Sequence, residues 1–173
     1  YCISTMPIKD LFNAFSFSIP SDIKNISDNL VYRDFITVGI LLDKTKTELN
    51  DNWIYIQESY VKVGRIQVFN NWSPFLVSNA ETTWLGLEYF CNESDSLWKL
   101  KEEELIALAT QELIQLGFIE ASKNVLDATV IKVPKTYPAY FGAYNKFYKI
   151  REFVEPIDNL FLVGRNGMHK YNN

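Results

Sequence analysis

The residues best suited to chemistry in this 173-residue chain lie near its C-terminal end. An apolar stretch over residues 160–163 runs directly into Gly164-Arg165-Asn166-Gly167. Glycines that follow a strand expose backbone N–H groups, and a guanidinium can hold phosphate oxygens through two parallel hydrogen bonds. The segment therefore favours a phosphate-bearing ligand, although a GxxG spacing alone is also typical of an ordinary turn.

The usual catalytic and metal-binding patterns are missing from the sequence. The one histidine, His169, is expected to lie in a frayed tail, which argues against a Ser-His-Asp or Cys-His device. Cys2 and Cys91 have no second Cys or His at metal-ligand spacing, so we predict free thiols and no metal, with a single disulfide as the alternative. Glu88, inside an apolar strand, is expected to be an outward residue of a half-buried sheet rather than a general base. No catalytic residue can be named.

Aromatic side chains form a second feature of the sequence. Tyrosine and tryptophan bring a polar atom to an apolar wall, so a concentration of them can line a ligand cavity as well as fill a core. Both interpretations stay open for the residues concentrated in or beside the predicted strands, which are Trp53, Tyr55, Trp72, Trp84, Tyr89, Tyr137, Tyr140 and Tyr144.

Composition and charge narrow the class of protein. A 47% hydrophobic and 22% charged composition over this length is typical of one globular folding unit. The net charge is −4 and the basic residues are scattered among acids, which argues against a nucleic-acid partner. No apolar run approaches the roughly 20 residues that a membrane-spanning helix needs. A cytoplasmic location is the default expectation.

Hydrophobic periodicity predicts an α+β fold with a mixed, largely antiparallel sheet flanked by helices. Short polar connections between successive strands favour neighbouring antiparallel pairs. We predict strands at residues 1–5, 31–44, 53–57, 65–70, 83–91, 125–133 and 160–163, and helices at residues 8–15, 21–30, 102–116 and 144–154.

Several blocks of the sequence, in their order along the chain, resemble the C-terminal half of FAD-dependent oxidoreductases of the amine oxidase and protoporphyrinogen oxidase superfamily. The branch that the chain looks most similar to is the one likened to UDP-galactopyranose mutase. The blocks are Cys2-Ile3-Ser4-Thr5-Met6-Pro7, Val63-Gly64-Arg65-Ile66-Gln67, Asn71-Trp72-Ser73-Pro74, Gly86-Leu87-Glu88-Tyr89-Phe90, Tyr137-Pro138-Ala139-Tyr140 and the segment 159–173 with its Gly-Arg-x-Gly turn.

The resemblance implies a division of the chain into three parts. Residues 1–9 would end one segment of a FAD domain, residues 10–155 would form a substrate-binding domain, and residues 156–173 would be the returning FAD-domain strand with a flavin-facing turn. The N-terminal GxGxxG fingerprint of such proteins is missing from this sequence. We therefore expect a fragment of a FAD-dependent parent that does not itself retain FAD.

The resemblance also assigns roles to individual residues. Gly164, Arg165 and Asn166 match the flavin-facing turn, and Tyr137 and Tyr140 match a segment that lies close to the isoalloxazine in relatives. Arg65 and Trp72 fall on the sheet and the adjacent loop that would face the substrate.

The function implied is the substrate-binding half of an amine oxidase-like, FAD-dependent oxidoreductase that is inactive as an isolated fragment. One alternative is a flavin-dependent isomerase acting on a nucleotide sugar, which would need Arg65 and Arg165 placed against a diphosphate. Another is a freestanding ligand-binding module. The substrate would be a small molecule such as a nucleotide sugar or an amine. Exposed sheet edges predict that the fragment dimerises or aggregates, as a consequence of truncation rather than as a biological assembly.

Overall fold

A computed structural model of the protein describes residues 1–46 and 48–171. Packing divides the chain into two compact units rather than the single folding unit that its length predicts. Unit 1 combines Tyr1–Asp34 with Pro134–Asn173, and unit 2 is the continuous segment Phe35–Val133. The last two residues of the C-terminal motif, Asn172 and Asn173, lie outside the described residues. The boundaries expected after residues 9 and 155 concern membership of a FAD domain and stay a prediction.

Within the described residues, seven strands form two sheets. A two-stranded sheet pairs the first strand with the last, and a five-stranded sheet has the order β3-β4-β5-β2-β6. The strands are β1 (Cys2–Ser4), β2 (Tyr32–Leu42), β3 (Trp53–Tyr55), β4 (Arg65–Val68), β5 (Thr83–Cys91), β6 (Val125–Pro138) and β7 (Leu160–Leu162).

Seven helices accompany these strands in the part of the chain that the structure describes, and short 3₁₀ turns occur at Pro74–Leu76, Ser122–Asn124 and Gly142–Lys146. None of the helices within the described residues is long and apolar enough to cross a membrane. The helices are α1 (Ile8–Ala14), α2 (Ser21–Asp28), α3 (Phe69–Trp72), α4 (Ser96–Lys99), α5 (Glu102–Gln115), α6 (Phe147–Val154) and α7 (Gly164–Gly167).

The core of unit 2 lies between one face of the five-stranded sheet and α5. Strand β4 pairs antiparallel with both β3 and β5, and Ile66 lies opposite Leu87 in the register. Because side chains alternate across a strand, residues such as Ile66, Leu87 and Tyr89 point into this core. Apolar residues at helical spacing on α5, among them Leu105 and Leu113, cover the same face. The opposite face of β3, β4 and β5 carries the polar and aromatic residues.

Unit 1 has its own core, built around its helices. Buried apolar residues of α1, α2 and α6 pack together, with Phe12, Ile26 and Ile150 among them. Strand β1 runs parallel to β7, and Cys2 lies opposite Leu160 in the register. The mixed, largely antiparallel α+β fold predicted from the sequence is therefore confirmed.

Some predicted elements differ from the structure in length. The strand predicted to end at residue 133 continues to Pro138, although Pro134 interrupts its sequence. Proline is tolerated there because β6 lies at the edge of the sheet, where a missing N–H leaves no partner strand unsatisfied. The helix predicted from residue 144 begins instead as a 3₁₀ turn and becomes α-helical at Phe147.

A buried carboxylate joins α5 to the chain that precedes β4. Glu112 is 3% exposed, and its Oε1 accepts a hydrogen bond from the backbone N–H of Lys62 at 2.6 Å. Its Oε2 accepts from the backbone N–H of Val63 at 3.2 Å and from the Tyr89 hydroxyl at 2.9 Å. Burial, followed by the negative charge of Glu112, raises the pKa of the Tyr89 hydroxyl. Glu112 thus fixes the backbone just before Arg65.

We expect Glu112→Ala to lower the free energy of unfolding by about 3 kcal/mol, because it removes three hydrogen bonds to an ionised group and leaves buried donors unpaired. Urea unfolding measures the loss. Glu103→Ala is the matched control: Glu103 is exposed on the same helix, and its replacement is expected to cost no more than about 0.5 kcal/mol. Equal losses in the two variants would contradict the role given to Glu112.

Candidate ligand-binding surfaces

The residues that the resemblance assigns to the cofactor come together in unit 1, in a group that we name the turn cluster. It comprises Gly164, Arg165, Asn166, Tyr137 and Tyr140, together with Tyr171. The Arg165 guanidinium carbon lies 4.9 Å from the ring centre of Tyr137 and 4.6 Å from that of Tyr171. The two tyrosine rings are themselves stacked, with centres 6.0 Å apart. These cation–π contacts orient the arginine while leaving its N–H groups as donors.

The other side chains of the turn cluster are polar groups at its margin. The Tyr140 hydroxyl accepts a hydrogen bond from the backbone N–H of Tyr171, and the Tyr140 ring lies 5.0 Å from that of Tyr144. The Asn166 Oδ1 is buried and has no hydrogen-bond partner within residues 1–46 and 48–171. A buried acceptor without a partner is uncommon in proteins and marks a place where a donor from a ligand can bind.

Close backbone packing holds the turn cluster against β1. Gly164 has a φ of +72°, a conformation that favours glycine, and begins the one-turn helix α7. A Cβ added to Gly167 would lie 2.4 Å from the carbonyl oxygen of Ser4, so no larger residue fits there. The Val163 N–H donates to the same Ser4 carbonyl at 3.0 Å. Gly167 therefore permits the close approach of two backbone segments, whereas Gly164 supplies the positive φ with which α7 begins.

His169 is buried in an aromatic environment, and the expectation of a frayed tail is wrong. The side chain is 0% exposed and its Nε2 lies 3.2 Å from the carbonyl oxygen of Ala139. Its ring packs edge-on against Tyr32 at 4.8 Å between centres, and also contacts Tyr144 and Phe147. Burial lowers the pKa of the imidazole, and burial raises the pKa of the Tyr32 hydroxyl to about 12. These aromatic contacts, which the sequence does not reveal, fix the residue.

The two residues expected to face the substrate meet in unit 2, on a surface that we name the arginine face. It comprises Trp53, Tyr55, Arg65, Gln67, Glu88 and Phe90, with Trp72 beside it. The Arg65 guanidinium carbon lies 4.0 Å from the ring centre of Trp53. Trp72 packs edge-on against Trp53 as well, with its ring centre 5.3 Å from that of Trp53. Trp53 therefore links the two predicted residues.

Glu88 is the centre of the arginine face. It lies on the side of the sheet away from the core, as expected of an outward residue, but it is buried by its neighbours on that face. Its side chain is 1% exposed. It accepts hydrogen bonds from Arg65 Nε on one carboxylate oxygen and from Gln67 Nε2 on the other. Burial raises the pKa of the Glu88 carboxyl, against the opposing effect of the Arg65 hydrogen bond and charge. The ion pair compensates the buried charge.

Sequence reasoning did not assign Gln67 or Tyr171 to a site, and it named Trp53 only among the aromatic residues that could line a cavity or fill the core. For Trp53 and Gln67 the sequence did carry a signal. Once strand alternation and register are known, positions 53, 65 and 67 fall on one face of adjacent strands. The register depends on where each strand ends and its connection begins, and the sequence does not define those bounds to the residue. The described residues contain no group of three or more His, Cys, Asp or Glu side chains able to hold a metal ion.

No protein-family model matches the chain, and no curated protein matches it by sequence. Solved structures do match by fold. The chain resembles a reduced UDP-galactopyranose mutase at a TM-score of 0.82 and 22% identity, covering 99% of this chain and 36% of that one. It also resembles a candidate protoporphyrinogen oxidase from Exiguobacterium sp. 255-15, at a TM-score of 0.71 and 14% identity, over 96% of this chain and 36% of that one.

A third similar structure is an oxidoreductase from Methanosarcina mazei, with a TM-score of 0.57 and 13% identity, covering 95% of this chain and 37% of that one. At these identities the likeness shows the fold alone. The resemblance inferred from sequence blocks is confirmed at that level. The chain spans little more than a third of the length of the structures it matches, and the roles of the turn cluster and the arginine face stay predictions.

We expect Gly167→Ala to destabilise the protein by about 2 kcal/mol or more, because the added methyl group would overlap the Ser4 carbonyl. Gly142→Ala is the control. Gly142 also lies in unit 1 with a φ of +64°, but nothing lies within 4 Å of the position that an added methyl group would take, so about 1 kcal/mol of backbone strain is expected. Thermal unfolding compares the two, and a smaller loss in Gly167→Ala than in the control would contradict close packing of α7 on β1.

His169 predicts a pH dependence of stability. Because the folded imidazole has a pKa below its ordinary value of 6.5, the unfolded chain binds the proton more readily. The stabilising contribution is therefore complete above pH 6.5 and is lost as the pH falls below it towards the folded pKa. Urea unfolding of the wild type and His169→Phe across this range is expected to show a smaller decline in the variant. Parallel curves would mean that His169 is not held in its neutral form.

Proposed function

We propose that this chain is the substrate-binding part of a FAD-dependent oxidoreductase. Two observations support the proposal. The fold matches solved structures that include a reduced UDP-galactopyranose mutase and an oxidoreductase. The chain also carries the sequence blocks that resemble the superfamily, from residues 2–7 to the Gly-Arg-x-Gly turn. Since the chain covers only about a third of those structures, activity is proposed for a longer protein that contains it.

The observation that carries the proposal is the assembly of the turn cluster. Five residues assigned to the cofactor by resemblance, which lie in two segments of the sequence, are brought into one connected group by Arg165, Tyr137 and Tyr171. The donor set fits FAD. A guanidinium held by aromatic rings suits the diphosphate. The buried Asn166 Oδ1, which has no partner among the described residues, suits a donor such as a ribityl hydroxyl.

Within this proposal each group has a defined task. Arg165 would bind the diphosphate, Asn166 would accept a hydrogen bond, and Tyr137 and Tyr140 would form an apolar wall that excludes water. FAD, when bound, supplies the chemistry of hydride transfer. The remaining tasks belong to the chain: Gly164 and Gly167 set the position of the turn, and the arginine face would contact the substrate with Arg65 and Trp72.

An isolated chain of this kind is expected to be inactive and to bind FAD weakly. The turn cluster supplies one edge of a dinucleotide site, whereas the GxGxxG fingerprint that holds the diphosphate on a helix N-terminus is missing from the sequence. We also propose a cytoplasmic location, and dimerisation of the isolated chain through exposed sheet edges. The exposed apolar side chains Ile3 (70%) and Phe161 (47%) on the two-stranded sheet support the dimer.

A second candidate is a flavin-dependent isomerase that acts on a nucleotide sugar. It is favoured by the TM-score of 0.82 to UDP-galactopyranose mutase. It requires Arg65 and Arg165 to bind a diphosphate, yet Arg65 is hydrogen-bonded to Glu88. The oxidoreductase is therefore the preferred proposal.

The test uses the longer protein that contains this chain. We expect flavin bands in its visible absorption spectrum, and at least a tenfold loss of FAD affinity in Arg165→Ala, because a charge-assisted contact to the diphosphate is removed. Arg151→Ala is the matched control, since Arg151 is an exposed arginine of unit 1 that lies on α6, outside the turn cluster. A wild-type protein that stays colourless with added FAD would overturn the proposal.

A further inference from the structure

We propose that Lys135 is a positioning residue of the turn cluster, because its strained backbone directs the Tyr137 ring onto the Arg165 guanidinium. The inference rests on the proposed function, in which Arg165 binds the diphosphate of FAD. It adds a residue that the resemblance does not assign and that lies outside the turn cluster. The observation that carries it is a backbone conformation that lysine rarely adopts.

Lys135 has a φ of +54°. In this left-handed region the Cβ atom of an L-residue lies too close to the following carbonyl oxygen, so glycine is the usual occupant and asparagine or aspartate the common exceptions. Pro134 precedes Lys135, and a proline followed by a residue of positive φ resembles a type II turn, which favours glycine at its second central position. A lysine in this conformation must therefore be held by the structure around it.

Three hydrogen bonds to two aspartates hold Lys135 in place. Its backbone N–H donates to Asp34 Oδ1 at 2.8 Å, and Asp34 is 6% exposed. Its Nζ donates to both carboxylate oxygens of Asp10 on α1, at 2.7 Å and 2.8 Å. The backbone and the end of the side chain are thus bound to two separate parts of unit 1. A strained conformation persists when its neighbours over-determine it, and these bonds supply that restraint.

The strain lies where the turn cluster needs orientation. Tyr137 follows Lys135 by two positions and packs on Arg165 at 4.9 Å. Among the described non-glycine residues one other has a positive φ, His169 at +44°, and it precedes Tyr171, the second ring on Arg165, by two positions. The chain therefore reaches both rings that hold the guanidinium through a left-handed residue. Strained backbone clusters at functional sites, and this repetition points to Arg165.

His169 shows the same arrangement with a different anchor. It follows α7, where its N–H donates to the Asn166 carbonyl at 3.2 Å and the Lys170 N–H donates to the Arg165 carbonyl at 3.0 Å. These two bonds close a helix through a left-handed residue that is usually glycine. The imidazole is instead fixed beside the Ala139 carbonyl, 3.2 Å from Nε2. At both positions a side-chain anchor replaces the conformational freedom of glycine.

The test replaces Lys135 with glycine, which adopts a positive φ freely but has no ammonium group to bind Asp10. Heteronuclear NMR of the arginine Nε–Hε groups follows Arg165 directly, and Arg165→Lys identifies its signal. In the wild type we expect the ring currents of the two tyrosines to displace the Hε signal. In Lys135→Gly we expect about half or more of that displacement to be lost, because one of the two rings leaves the guanidinium.

Lys135→Arg is the matched control, because it keeps a cation that can bind Asp10, and its Arg165 signal should stay near that of the wild type. Thermal unfolding separates positioning from general stabilisation. The midpoint of Lys135→Gly is expected to fall by no more than about 4 °C, since relief of the backbone strain offsets part of the loss. If Lys135→Gly does not fold, Asp10→Asn weakens the same ion pair from its other end, and a change of the same sign is expected.

Three results would overturn the proposal: a wild type without a displaced Arg165 signal, a folded Lys135→Gly that keeps the full displacement, or an equal loss in Lys135→Arg. In the longer protein we expect Lys135→Gly to bind FAD about threefold to tenfold more weakly, and an unchanged affinity would also count against it. The NMR measurement needs no FAD. A colourless longer protein would therefore overturn the flavoprotein proposal while leaving the position of Arg165 as measured.

Discussion

The parallel pairing of β1 with β7 is the constraint on which unit 1 depends. It places Cys2 opposite Leu160, so the two ends of the described chain must return to one sheet. Parallel neighbours need a long connection, and here that connection contains all of unit 2. The pairing also sets Ser4 against Val163 and Gly167, which positions the turn that bears Arg165. The turn cluster is thus a consequence of strand pairing rather than of the local sequence around the glycines.

Two buried carboxylates organise unit 2 from opposite sides of its sheet. Glu112 on α5 binds backbone donors on the core side, while Glu88 on β5 binds Arg65 and Gln67 on the other. Glu112 holds the backbone at residues 62 and 63, and Glu88 holds the side chain of Arg65. Arg65 is therefore fixed at both its backbone and its guanidinium. A preorganised arginine of this kind loses little conformational freedom when a ligand packs against its aromatic neighbours.

Periodicity in the sequence was enough to predict β5, whose bounds of Thr83–Cys91 agree with the prediction, and α5, which differs by one residue. Both elements bury apolar residues at regular spacing, and this spacing is what an analysis of periodicity detects. The burial of His169 and Glu88 was not predictable, because each depends on partners far away in the sequence, Tyr32 and Arg65 among them. The turn cluster was expected through the resemblance, whereas the contact of Trp53 with Arg65 and that of Tyr171 with Arg165 became visible only in the structure.

The division of the chain has a consequence for the order in which the protein acquires structure during synthesis. Unit 2 is one continuous segment, and its buried core residues all lie between Ile36 and Ile119. It can complete its core as soon as that segment has left the ribosome. Unit 1 joins residues 1–34 to residues 134–173, so Ile8 and Phe12 must wait for Phe147 and Ile150 before their apolar surface is covered. Helices α1 and α2 are therefore made before unit 2 but protected after it, and during that interval their apolar surface is open to aggregation.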